Sequence, residues 1–265
     1  MDFESQSLAP NFRHLLSGID TLEVCFYLSP KQICALDFEA LLARKEALRV
    51  ARFRQPEEIR IGSESFLLQA YGSSSGYPLV FSNPWAVIAY GTRNTPQFYV
   101  KFLSQGLWQY GWAELIAKFI AWATDAGFAM DAPERVSRAD FCFDYWIAGL
   151  DFNHDSFVSL SAKDANYRQH RKNQTFDFGK GDLKLRVYDK IAEIEQQSGK
   201  TFFFDLWKEK LSVWRIEWQV RKPLLKRFGV RTLEGLQDQA GDLMPFGVLS
   251  IVGRKSFFRH WSCWA

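Results

Sequence analysis

The sequence predicts an α+β fold: antiparallel β-sheet with helices packed on one face and an open polar face that forms the active site. Three observations lead there. Between Ser65 and Leu103, short aromatic and β-branched runs are punctuated by Gly, Ser, Pro and Asn (YGSSSGYP, SNPW, YGTRNTP), the pattern of successive antiparallel strands. The segment Trp112–Ala126 carries Leu115, Ile116, Phe119, Ile120 and Ala123 at helical spacing and stops at Gly127, a residue suited to a left-handed cap. Three later segments, RADFCFDY, LKLRVYDK and WRIEWQVR, alternate apolar and polar residues with the period of a half-buried strand.

In chain order, Ile19–Leu28 reads as a strand. Ser29 then caps a helix with Pro30 at its first position, running to about Arg52 on Ile33, Leu36, Leu41 and Leu48. A strand meander follows, then the helix ending at Gly127, which should cover a sheet. The three alternating strands are separated by a polar loop, KDANYRQHRKNQ, and by a helical segment near Ile191–Gln197, and the tail from Thr232 reads as mixed helix. No low-complexity linker divides the chain, so residues 1–230 are expected to form one domain and 231–265 a helical extension.

Composition narrows the function. A chain with 47% hydrophobic and 24% charged residues buries a core, which excludes disordered and collagen-like classes. Cys25, Cys34, Cys142 and Cys263 stand far apart with no CxxC pair, which speaks for a reducing compartment over a disulfide framework or a zinc ribbon. The opening MDFESQSLAPNF shows neither a basic leader nor an apolar stretch, and no apolar run approaches bilayer length, so a cytoplasmic protein without a membrane role is expected. A formal charge of +3 does not announce nucleic acid, and any such signal must be local.

The local signal lies on the alternating strands. RADFCFDY sets Arg138, Asp140, Cys142 and Asp144 on one face. LKLRVYDK sets Lys184, Arg186, Tyr188 and Lys190 outward, and WRIEWQVR does the same with Arg215, Glu217, Gln219 and Arg221. A solvated sheet face laced by cross-strand ion pairs has this pattern too. Two aspartates on one short strand are poor for β-propensity, however, and Asp140, Asp144 and Glu217 have the oxygen chemistry of a hard divalent cation site. Tyr188 stands among cations that favour phenolate and neutralise a phosphodiester. Carboxylates with a metal, a tyrosine and basic groups make up the parts of phosphoryl transfer through a phosphotyrosine.

The ordered set RADFCFD, FGKGDLKLRVYDKIAEI and VWRIEWQVRK resembles the trans-acting replication initiator (Rep_trans) family of rolling-circle plasmids, whose relatives include filamentous-phage replication proteins and conjugative-element relaxases. FYVKFLSQGLWQYG resembles the phage branch. The match spans about residues 15–230. It rests on Arg186, Tyr188, Lys190 and Glu193 in one run and on Trp214, Arg215 and Glu217 in the other. The resemblance implies that Tyr188 attacks a DNA phosphate at an origin, flanked by Arg186 and Lys190. It implies that Asp140, Asp144 and Glu217 hold Mg²⁺ or Mn²⁺. The implied partners are single-stranded or supercoiled origin DNA, a host helicase and a second copy of the chain. The sequence departs from the family pattern at Gly179-Lys180-Gly181-Asp182, a shorter loop before the tyrosine run, and at Gln219, where relatives carry a second carboxylate.

The histidines are isolated and form no His-x-His pair, so metal binding falls to carboxylates. Tyr167, Arg168, His170, Arg171 and Lys172 gather in the polar loop as a phosphate track with one aromatic for stacking; the alternative is a solvated charged loop. Lys184, Arg215 and Arg221 extend that expected DNA surface. Tyr167 is the rival nucleophile; Tyr145 falls on the apolar side of its strand, Tyr71 and Tyr77 lie in a Gly/Ser turn, and Tyr27, Tyr90, Tyr99 and Tyr110 are expected to lack basic neighbours in a strand register that also offers a carboxylate. The other class open to the sequence is a non-catalytic DNA-binding protein of the same fold.

Overall fold

The computed structural model describes residues 12–148, 157–158, 164–169, 172–179, 181–243 and 250–251. Its contacts divide into two units. One comprises residues 1–18, 141–220 and 241–265, and the other 19–140 and 221–240. Two long strands, β1 (Phe12–Pro30) and β7 (Phe128–Ile147), contribute residues to both. Both units are α+β, each with antiparallel sheet and helices.

In the unit of residues 19–140 and 221–240, the Gly/Pro-punctuated region forms the expected meander. Its strands are β2 (Glu57–Ile61), β3 (Glu64–Leu68), β4 (Leu79–Ser82), β5 (Ala86–Tyr90) and β6 (Phe98–Phe102), and the sheet order is β2-β3-β4-β5-β6-β1-β7. Alternation is strict enough to bury one side of β6 at Phe98, Val100 and Phe102, and β1 pairs with it through Val24↔Val100 and Phe26↔Phe98. Two helices follow, α2 (Ser104–Tyr110) and α3 (Trp112–Asp125). The apolar stripe of α3, Leu115, Ile116, Phe119, Trp122 and Ala123, is buried as its spacing requires. Phe119 meets Phe26 at 4.5 Å and Phe102 at 5.9 Å between ring centroids, and the Trp122 indole donates to the Ile61 carbonyl at 2.9 Å. Gly127 ends this helix at φ +92°, and a Cβ there would stand 2.2 Å from the Ile33 carbonyl oxygen, so only glycine allows the close approach.

That corner also accounts for the main departure from the sequence reading. Pro30 ends β1 and opens no helix. Lys31 and Ala35 donate backbone hydrogen bonds to Gly127 and Ala126, which holds residues 31–36 in an irregular path. Helix α1 (Phe38–Val50) begins only where the Asp37 carboxylate caps it by accepting from the Ala40 N–H at 3.0 Å. Ile33, read as part of a helical stripe, is exposed.

In the other unit the sheet order is β7, β12 (Val213–Arg221), β11 (Leu183–Asp189), β10 (Lys172–Phe178), β9 (Asp164–Gln169). The stretch expected to be a polar loop is mostly a hairpin of β9 and β10. The helical segment after Tyr188 is α4 (Lys190–Glu193), continued by a π-helical turn at Ile194–Ser198 and followed by α5 (Phe202–Trp207). A small two-stranded pairing joins β8 (Phe157–Val158) to β13 (Ser250–Ile251). After β12 the chain returns to the unit of residues 19–140 and 221–240 with α6 (Lys222–Arg227); of the tail expected to be helical, Leu233–Leu243 form α7 and Ser250–Ile251 are strand. No helix among the described residues is long and apolar enough to cross a membrane.

Candidate active site

Strand register places the site. β11 and β12 are antiparallel with Arg186 opposite Glu217 and Tyr188 opposite Arg215, while β10 sets Asp177 opposite Arg186 and Thr175 opposite Tyr188. Directly opposed residues share a sheet face, so Lys184, Arg186, Tyr188, Arg215, Glu217, Asp177 and Thr175 lie on one side. Leu185, Val187, Phe176 and Trp218 pack on the other and are buried. The alternation in the sequence therefore sorts the two faces, but the polar one is less open than expected, since Tyr188, Asp177, Arg215 and Glu217 are buried as well.

On the polar face the Tyr188 hydroxyl donates to Glu217 Oε2 at 2.9 Å. The contact is diagonal, within reach of an aromatic side chain. Arg186 stands 5.6 Å from the Tyr188 ring centre, donates through Nε to Asp177 Oδ1 at 3.2 Å and approaches Glu217 Oε1 at 3.8 Å. Burial works against the Arg186 charge, but Glu217, Asp177 and the neighbouring Tyr188 outweigh it and hold its pKa above the ordinary guanidinium value. Lys184 pairs with Asp177 Oδ2 at 2.6 Å.

Lys190 is not on the strand as its spacing suggested. Asp189 closes β11 by capping α4, accepting from the Ala192 N–H at 3.0 Å, and Lys190 becomes the first residue of that helix. Its ammonium is buried, pairs with Glu193 Oε2 at 2.5 Å and lies 5.6 Å from the Tyr188 ring. The tyrosine thus still has two cations against its ring, one from the strand and one from the helix. A pocket beside it is lined by Thr175, Arg186, Tyr188, Glu193, Gln196 and Gln197.

Arg215 and Asp144 differ most from expectation. Arg215 was read as an exposed DNA contact, yet its side chain is 0% accessible. It donates through Nε to Asp144 Oδ1 at 2.6 Å and through Nη2 to Oδ2 at 2.8 Å, and the Trp207 indole adds a bond to Oδ2 at 2.9 Å. The Phe203 ring covers the guanidinium at 4.4 Å and stacks on Trp207. Helix α5 therefore closes the polar face at Arg215, while Arg186 remains 40% accessible. The sequence signal for this cover is the aromatic run FFFDLW.

These bonds bear on a divalent cation. Asp144 spends both oxygens on Arg215 and Trp207, and Glu217 accepts from Tyr188. Asp140, in the other unit, accepts from Arg138 on both oxygens, with Arg138 Nε to Oδ1 at 2.7 Å. Among the described residues no three His, Cys, Asp or Glu side chains gather around a point able to hold a metal ion. In this structure the three carboxylates accept from guanidinium, indole and phenol donors.

Tyr167 and Arg168 lie on β9, opposite Thr175 and Asn173, and Lys172 opens β10; His170 and Arg171 fall outside the described residues. Arg221 is exposed at the end of β12. Tyr99 corrects a further expectation. It does have a carboxylate with a cation beside it, because its hydroxyl donates to Glu23, which Arg138 approaches at 3.4 Å. Burial, then the bond to Glu23, pushes the Tyr99 pKa well above the ordinary phenol value. Such a group gives up its proton reluctantly.

No protein-family profile matches the chain, and no curated protein matches it significantly. Among solved structures it is similar to a rolling circle replication initiator protein from Geobacillus stearothermophilus, with 17% sequence identity and a TM-score of 0.48, over 92% of this chain and 89% of that one.

Proposed function

We propose that this protein is a replication initiator that nicks and rejoins one strand of origin DNA through Tyr188, with a 5′-phosphotyrosine intermediate. The observation that carries the reading is the setting of Tyr188: its hydroxyl on Glu217, its ring 5.6 Å from both Arg186 and Lys190, and a pocket at its side. Of the residues that carry the motif resemblance, Glu217 of β12 accepts from the hydroxyl, and Arg186 of β11 and Lys190 of α4 lie against the ring.

In the forward step the Tyr188 proton passes to Glu217 as the phenolic oxygen attacks phosphorus. The new bond joins that oxygen to phosphorus, the bond to the 3′ oxygen breaks, and that oxygen takes up a proton and leaves as a 3′-hydroxyl able to prime synthesis. Lys190 favours the phenolate, and the accessible Arg186 offsets charge developing on the phosphate. The tyrosyl ester conserves the bond energy, so reversal rejoins the strand. Mg²⁺ or Mn²⁺ remains a proposal that the resemblance alone suggests, and no step here is assigned to it. The test is incubation with single-stranded origin DNA, with and without Mn²⁺, followed by a denaturing gel and peptide mapping. A covalent adduct on Tyr188 supports the reading; an adduct on Tyr167 or Tyr99, or none, overturns it.

A further inference from the structure

The pocket beside Tyr188 has a wall that the chemistry above does not use. The π-helical turn Ile194–Ser198 places Gln196 and Gln197 on the pocket lining, next to Thr175, Arg186 and Tyr188. Both glutamines are exposed, and neither side-chain amide has a hydrogen-bond partner among the described residues. A turn of this kind adds a residue to a helix and re-aims its side chains, and such turns recur at functional sites.

The charges around the pocket decide what it suits. The cation of its lining, Arg186, is paired with Asp177 and Glu217, and the nearby Lys190 with Glu193. Asp189 adds a further carboxylate to the lining. A second phosphate would meet carboxylates there, so the pocket is better suited to an uncharged group with donors and acceptors along one edge. A primary amide offers a donor and an acceptor side by side, which matches the N6 and N7 edge of adenine. The bases of a single strand are free to be turned out and read in this way.

We propose that this pocket takes the unpaired base of a nucleotide next to the phosphate attacked by Tyr188, and that Gln196 and Gln197 read its edge. The inference rests on the nicking role of Tyr188 and adds a residue-level source of sequence preference. Phosphate contacts fix position; these two amides choose the base.

The test uses the full chain and a library of single-stranded oligonucleotides randomised around the nick, with the covalent adducts isolated and sequenced. Wild type is expected to enrich one base, adenine, at a position adjoining the nick. The double substitution Gln196→Ala with Gln197→Ala is expected to lower that enrichment about tenfold while adduct yield and preferences elsewhere persist. Glu195→Ala, an exposed change on the same turn but off the pocket lining, is expected to leave the profile as it was. An unchanged preference in the double variant, or the same loss in Glu195→Ala, overturns the assignment while leaving the nicking role intact. Absence of any adduct with wild type removes both.

Discussion

The Tyr188 hydroxyl and the Glu217 carboxylate meet at 2.9 Å across two antiparallel strands, although 29 residues separate them in the chain. Residue opposition alone pairs Tyr188 with Arg215, and the diagonal reach of the phenol selects the glutamate two residues further along β12. In the proposed reaction the same bond orients the nucleophile and supplies the acceptor for its proton.

Tyr188→Phe removes one oxygen and keeps the ring on which Arg186 and Lys190 rest. Covalent adduct formation is expected to vanish while the unfolding midpoint stays near wild type. Nicking that persists in this variant would assign the chemistry to another group.

Glu217→Gln keeps the shape and a carbonyl able to accept from Tyr188, but it cannot take the proton. The single-turnover rate of adduct formation is expected to fall about 10²- to 10⁴-fold with DNA affinity retained. A rate within a few-fold of wild type would show that Glu217 only orients the tyrosine.

Asp144 divides a structural role from a metal-binding one. Asp144→Ala strands the inaccessible Arg215 guanidinium and is expected to cost about 3–5 kcal/mol in urea unfolding. The paired change Asp144→Leu with Arg215→Met should recover much of that loss. Wild-type stability in Asp144→Ala would contradict the structural assignment.

Neutralising Arg168, Arg171 and Lys172 together tests the hairpin as a phosphate track. For single-stranded DNA, three lost contacts lower the slope of log affinity against log salt by about 2. An unchanged slope would mean that these side chains are simply solvated.

Burial pushes the Tyr90 phenol up to about 12, from an ordinary 10. Between those values the folded state keeps a proton that the unfolded state loses, so stability is full below pH 10 and declines as pH rises toward 12. Thermal melts from pH 8 to 11.5 should show this fall, and Tyr90→Phe should make it shallower. An equally steep fall in that variant would place the effect on other groups, such as Tyr77, which burial also holds at about 12.

By itself the sequence determined what depends on neighbours in the chain. The stripe of α3, the meander from Ser65 to Leu103 and the two-faced strands around Tyr188 and Glu217 are all periodic, and local geometry turns period into a buried face. The α1 start was misread because long-range bonds from Lys31 and Ala35 to the Gly127 corner outweigh the local cap signal of Ser29 and Pro30. Alternation likewise separated Arg215 and Asp144 from the apolar face but gave no sign of a cover over them. Only the tertiary structure brings Phe203 and Trp207 onto that pair, turning an expected surface cation and its carboxylate into a buried ion pair. It also carries Lys190 off the strand and onto α4 while keeping it against Tyr188. Period records which side of a strand a residue faces; whether that side meets water or another helix depends on contacts between distant segments, which no local pattern encodes.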